Sequence, residues 1–313
     1  MKSLWIGFAV LLSAASAQAC PPPRYAICDL PTDDPAVRST AGIYFYGSGT
    51  RCSATLMAQS PMDTRPLLLT AAHCVDASSA GAWDGQVTVA WRATGDCAAQ
   101  SDDMYVAASP RQDTRASLIG VWGDIAMIEL QAAVPAGVRY SGWDARPLVV
   151  SDVVGANVSI HHHSAGRAQQ ISRGTIIEAG RMSDGYASGV RSQLDSELMG
   201  GASGSGWRTS NGDVFAVTSR GGCVAGTQTA QAQLLSRMSA SMMATLSVDG
   251  AATAIGYDAV IRAPEPEPEP PTTPPNTPTE QNDSSGSGGG SVSLSQLLLL
   301  LFLAALRSKR RIT

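Results

Sequence analysis

The sequence predicts an all-β fold of two small barrels, closed off by one short helix near the end. Between about residues 40 and 250 it carries many short apolar or alternating stretches: GIYFYG, SATLMA, PLLLTAA, QVTVAW, SLIGVW, IAMIEL, PLVV, NVSIHH, ISRGTIIEAG and VFAVTS. They are rich in β-branched residues and separated by Gly, Asp and Asn, which favour tight turns. A helical period appears only from Gln231 to Leu246, which predicts the single helix. The spacing fits two small barrels better than one large one, and no internal repeat suggests a solenoid or propeller.

The elements outside this core follow in chain order. Residues 1–19 hold Lys2, an apolar run from Leu4 to Leu12 and the small-residue site Ala17-Gln18-Ala19, the pattern of a signal peptide, so export through signal peptidase is expected. An exported chain makes its six cysteines (Cys20, Cys28, Cys52, Cys74, Cys97 and Cys223) readable as three disulfides, with fifteen connectivities open. Acylation of Cys20 would leave five, and Ala17 stands where a lipoprotein signal has Leu, so the disulfide reading is preferred. The enzyme or binding domain then spans 20–262, long enough for two small cores joined across an interface. A net charge of -4 excludes an ordinary nucleic-acid role.

Residues 263–290 change character: PEPEPEPPTTPPNTPT is a stiff extended spacer, followed by a Gly/Ser-rich stretch. The tail at 291–313 has an apolar run from Leu294 to Leu306 and ends in RSKRRIT. Thirteen residues of helix reach about 20 Å against a hydrocarbon core of about 30 Å, a marginal span whose basic end would stay cytoplasmic. Gly-rich stretch, leucine helix and basic end together resemble the bacterial GlyGly-CTERM sorting signal. That resemblance implies cleavage near Gly288 to Ser291 by a rhomboid-type protease and display at, or release from, the cell surface.

Chemistry is suggested by GGASGSG at 200–206, where six small neighbours leave Ser203 with nothing to pack against. A serine hydroxyl needs a base to become a nucleophile at neutral pH. Of the four histidines, His73 ends the apolar stretch LLLTAAHC, while His161, His162 and His163 are consecutive in a strand pattern. A carboxylate must orient the imidazole; Asp124 in WGDIAMIEL stands just ahead of a buried strand, whereas Asp102 and Asp103 lie in a polar stretch and read as solvated. No metal is expected, because the histidine run lacks a nearby carboxylate or thiol, and no cofactor motif is present.

TAAHC, GDIAMIEL and GGASGSG, in the order His, Asp, Ser, resemble the trypsin/chymotrypsin serine-protease family. A lipase-type elbow would need glycine where Ser205 stands. CSATLM, VTVAW followed by Cys97, YSGWD, VSIHHHSAGRAQQIS and SRGGC sharpen the likeness toward the bacterial lysyl-endopeptidase branch. The resemblance implies two packed six-stranded barrels, a secreted serine endopeptidase acting on proteins or peptides, a triad of His73, Asp124 and Ser203, and an oxyanion hole from the amides of Gly201 and Ser203. It also implies the pairs Cys20–Cys223, Cys28–Cys97 and Cys52–Cys74. The alternative is an inactive protease-like module used for surface binding or adhesion.

Three departures bear on how such an enzyme would behave. Ala202 replaces the aspartate that vertebrate-type members pair with a new N-terminus, so no activation switch of that kind is expected, nor a folded pro-domain between Ala19 and the first strands. Glu197, six residues before Ser203, is expected at the base of the substrate pocket with Arg220 and Gly221 at its rim, and a carboxylate there would select Arg or Lys. Gln231 stands where the lysyl branch has an aspartate, and Arg220 would repel basic side chains, so cleavage after Arg or Lys is one of two open readings. Between the two targeting segments there are seventeen arginines and no lysine, which protects a lysine-cutting enzyme from itself but also follows from GC-rich coding.

Overall fold

The computed structural model describes residues 19–59, 65–75, 84–92, 103–108, 110–147, 150–180, 189–238, 240–246 and 254–255. The signal segment, the spacer and the sorting-type tail lie outside these residues, as does Cys97.

The first six strands are β1 (Thr40–Phe45), β2 (Thr50–Leu56), β3 (Leu67–Ala71), β4 (Asp84–Trp91), β5 (Arg111–Trp122) and β6 (Ile125–Leu130). They close into an antiparallel barrel in the order β1-β2-β3-β6-β5-β4. The later strands are β7 (Trp143–Asp144), β8 (Asn157–His162), β9 (Gln170–Gly180), β10 (Gly189–Leu194), β11 (Gly206–Arg208), β12 (Val214–Val224), β13 (Thr227–Leu234) and β14 (Ala254–Ile255). Their sheet runs β11-β8-β9-β10-β13-β12 and closes on itself through β11–β12, with β7 and β14 added at its edge. The all-β reading with two six-stranded barrels is therefore what the chain forms.

Two strands explain how the barrels join. In β3, Leu68 and Ala71 point into the first barrel, while Leu67 and Leu69 pack outward with Val214, Val217 and Trp143 of the second half. In β6, Ala126 and Ile128 likewise face the first barrel, and Ile125 and Met127 face the seam. Burial on both faces is why LLLTA and IAMI read as continuous apolar runs rather than alternating ones. The helix Ala240–Leu246 completes the seam with Met242 and Leu246.

The helical period over Gln231 to Leu246 is realised only at its end. Ala230, Ala232 and Leu234 alternate inward, so β13 continues to Leu234, and a single turn at Leu235–Arg237 separates it from the helix. Of PLVV, Leu148 and Val149 lie outside the described residues, and Val150 begins a short helix, Val150–Val153. β10, β11 and β13 carried little strand signal because β11 is three residues long and the inward positions of the other two mix Val190, Leu194 and Leu234 with Ser192, Gln228, Ala230 and Ala232.

The disulfides Cys20–Cys223 and Cys52–Cys74 form as the family resemblance implied. The first ties the N-terminal segment to the end of β12, and the second ties β2 to the turn after β3. Cys28 is also disulfide-bonded; its expected partner, Cys97, lies outside the described residues.

Because Leu69 is fully buried in the seam, its truncation leaves a cavity on the face opposite the barrel core. Leu69→Ala is expected to lower unfolding stability by about 2–5 kcal/mol, read from the urea midpoint at an unchanged m-value.

Candidate active site

β3 and β6 pair antiparallel, with Ala71 opposite Ile125 at the end of the ladder. The chain leaving Ala71 and the chain entering Ile125 therefore emerge side by side. His73 lies in the single turn Ala72–Cys74, pinned by the Cys52–Cys74 disulfide, and Asp124 lies in the turn between β5 and β6. His73 Nδ1 is 2.9 Å and 3.0 Å from the two Asp124 carboxylate oxygens. The His73 backbone N–H also donates to Oδ1 at 3.1 Å, and Ala72 N–H donates to the Asp124 carbonyl at 3.0 Å. These contacts fix the imidazole with Nδ1–H toward the carboxylate and leave Nε2 for a substrate-side group.

Asp124 is 5% exposed, and its Oδ2 accepts a hydrogen bond from Ser219 Oγ of β12. Burial alone would push its carboxyl up, but the hydrogen bonds from His73 and Ser219 outweigh that and hold its pKa below the ordinary carboxylate value. Its backbone N–H donates to Gln233 Oε1 of β13 at 3.0 Å, which anchors the turn to the second barrel.

The segment around Ser203 is held through its backbone. Ser53 N–H donates to the Ser203 carbonyl (2.8 Å), Ser53 Oγ donates to the Gly201 carbonyl (2.8 Å), and Gly204 N–H donates to the Thr218 carbonyl (2.9 Å). The Cys74 sulfur, next to His73, lies 3.9 Å from the same Ser203 carbonyl oxygen. The glycines are required: Gly201 (φ +96°) and Gly204 (φ +88°) have left-handed backbones, and a Cβ on Gly204 would fall 2.2 Å from Ser53 O. Ala202 is wholly buried in the apolar core of the second barrel. The amides of Gly201 and Ser203 donate to no group among the described residues, while those of Ala202, Gly204 and Ser205 are all engaged.

The expected pocket residues lie on two facing segments. Glu197 precedes the Ser203 loop, but its carboxylate is turned to Arg167 at 3.9 Å, so it already faces a cation. Arg220 and Gly221 are exposed on β12. Gln231 stands opposite Arg191 on one side and Arg220 on the other, with its Oε1 buried and unpartnered.

The three consecutive histidines are buried, and no cluster of three metal-ligating side chains occurs among the described residues. His162 accepts at Nδ1 from Ser164 N–H (3.3 Å), which places its proton on Nε2, 2.9 Å from Ser172 Oγ. His163 donates from Nδ1 to the Arg167 carbonyl at 2.9 Å. Burial lowers the pKa of His162 to about 3 and that of His163 to about 4.

Residues 27–238 match the family profile described as lysyl endopeptidase, C-terminal domain. The chain belongs to the lysyl endopeptidase family. A lysyl endopeptidase of Pseudomonas aeruginosa is 28% identical over 172 residues, covering 52% of this chain and 34% of that protein. The match thus spans about a third of the relative's length. Crystal structures of the Rv3671c protease of Mycobacterium tuberculosis superpose with a TM-score of 0.44. A serine-to-alanine mutant in the inactive form is 17% identical over 70% of this chain and 92% of that one, and the active form 19% identical over 74% and 89%.

Within this lysyl-endopeptidase fold, sequence reading missed Ser219, Gln233 and Ser53, which hold the Asp124 and Ser203 segments. Ser219 opens the SRGGC block, but nothing in its neighbourhood points to a carboxylate 95 positions away. Only the meeting of β12 with the β5–β6 turn reveals it.

The buried histidines set an acid limit. The unfolded chain protonates them near pH 6.5, whereas folded His163 and His162 resist until about pH 4 and 3, so the unfolded state binds more protons in that window. Stability is therefore expected to fall as pH drops from about 6.5, each histidine contributing up to about 1.4 kcal/mol per pH unit. Urea midpoints measured between pH 7 and 4.5 check this, and His163→Gln should flatten the slope.

Proposed function

We propose that this protein is a secreted serine endopeptidase. In this reading His73 Nε2 takes the proton of Ser203 Oγ as that oxygen attacks a peptide carbonyl. Asp124 holds the ring in one tautomer and stabilises its charged form. The Gly201 and Ser203 amides receive the developing oxyanion. The amine leaves with the proton carried by His73, and water then hydrolyses the acyl-enzyme by the same steps in reverse.

The observation that carries the proposal is the combination of a buried carboxylate bridging His73 and Ser219 with two unengaged amides on the Ser203 loop. Family membership supports the same reading. The signal-type segment and the Gly-rich, leucine-rich, basic tail support export by the secretion machinery, followed by processing by a rhomboid-type protease at the cell surface.

A fluorophosphonate probe, which reacts only with an activated serine, tests the chemistry. Wild type should label, and Ser203→Ala and His73→Ala should not. Asp124→Asn should keep the fold but lower kcat by about 10⁴-fold, because the amide favours the wrong tautomer. Absence of labelling in folded wild type would favour the binding-module reading instead.

A further inference from the structure

Two backbone segments flank Ser203 and run beside each other. Gly204 N–H donates to Thr218 O (2.9 Å), which sets β12 against the Ser203 loop, and Gln228 Nε2 donates to the Leu198 carbonyl (2.9 Å) from the other side. On the endopeptidase reading, a peptide with its carbonyl carbon at Ser203 Oγ and its oxygen at the Gly201 and Ser203 amides would lay the side chain on the acyl side of the scissile bond between Leu198–Gly201 and Ser219–Gly221, which meet where Leu198 lies against Gly221.

That slot is filled from within. Leu198 is 1% exposed and packs with Ala202, Ala216 and Ala230 in the second barrel's apolar core. Its Cδ2 would be 2.3 Å from a Cβ on Gly221, so the leucine methyl occupies the space directly in front of that wall.

Leu198 is also held in place on both sides. The preceding carbonyl, of Glu197, accepts from Ser172 Oγ at 3.2 Å, and the following amide, of Met199, donates to Ser164 Oγ at 2.9 Å. The two serines are bridged by His162, which is fully buried and 2.9 Å from each hydroxyl. One imidazole thus clamps the backbone on either side of Leu198 and fixes the point from which its side chain projects toward Gly221.

We propose that Leu198 closes the specificity slot against long side chains, so that the protein cleaves after glycine, alanine or serine rather than after lysine or arginine. The proposal rests on the endopeptidase reading above. A lysine ammonium pressed into this slot would lose water with no free carboxylate to meet it, since Glu197 is turned to Arg167 and position 231 is a neutral glutamine.

The test uses secreted full-length protein, with active sites counted by fluorophosphonate titration and kcat/KM measured on peptides varied only at the residue before the cut. Wild type should favour Gly, Ala and Ser over Lys and Arg by at least about tenfold, and Leu198→Ala should raise kcat/KM for Leu, Met and Lys by about tenfold or more while Ala substrates change little. If Leu198→Ala does not fold, Leu198→Val reads the same shift at smaller amplitude. Labelled wild type that prefers Lys or Arg overturns this proposal and leaves the endopeptidase standing, as does a folded variant with an unchanged profile. Wild type that fails to label overturns both.

Discussion

The candidate site hangs from the antiparallel register of β3 and β6. Because Ala71 pairs with Ile125 at the end of that ladder, the residues just beyond each strand are brought within hydrogen-bond reach. His73 and Asp124 occupy those positions. Both strands are buried on two faces, so a one-residue slip would expose an apolar set to the wrong environment, and the register is strongly specified. Rigidity at the site is thus a consequence of the seam between the barrels.

The second barrel supplies what the first cannot. Ser219 on β12 and Gln233 on β13 reach across to Asp124, and Thr218 on β12 fixes the Ser203 loop through Gly204. The carboxylate is desolvated by the seam and then compensated by donors from both halves, which is the condition for keeping a buried charge. The loop carrying Ser203 is held almost wholly by backbone contacts. Small residues there allow the close approach to Ser53 and Thr70, as the blocked space around Gly204 makes plain.

Buried polar groups do a second task in the wall beside the site. His162 joins Ser164 to Ser172 and through them grips both sides of Leu198. A neutral imidazole can sit in a core without a counter-ion: His162 uses both ring nitrogens, and burial keeps all three histidines uncharged although His161 Nδ1 and His163 Nε2 have no partner. Glu197 was the residue whose charge suggested basic specificity, and Arg220 the one whose charge opposed it. The orientation of the first toward Arg167 and the closure of the slot by Leu198 shift the argument from charge to volume.

The sequence by itself determined the β class, the two-faced strands LLLTA and IAMI, the disulfide-forming cysteines and the three candidate residues. Each of these rests on local composition, period or a contiguous motif, which survive without knowledge of neighbours. It misplaced the end of β13, because a run of Gln, Ala and Leu satisfies two periods at once and only pairing with β10 and β12 decides between them. Tertiary structure alone decided which residues meet across long separations: Ser219 with Asp124, Ser53 with the Ser203 loop, His162 with both flanks of Leu198. Those contacts depend on barrel closure and strand register, which no short window of sequence encodes.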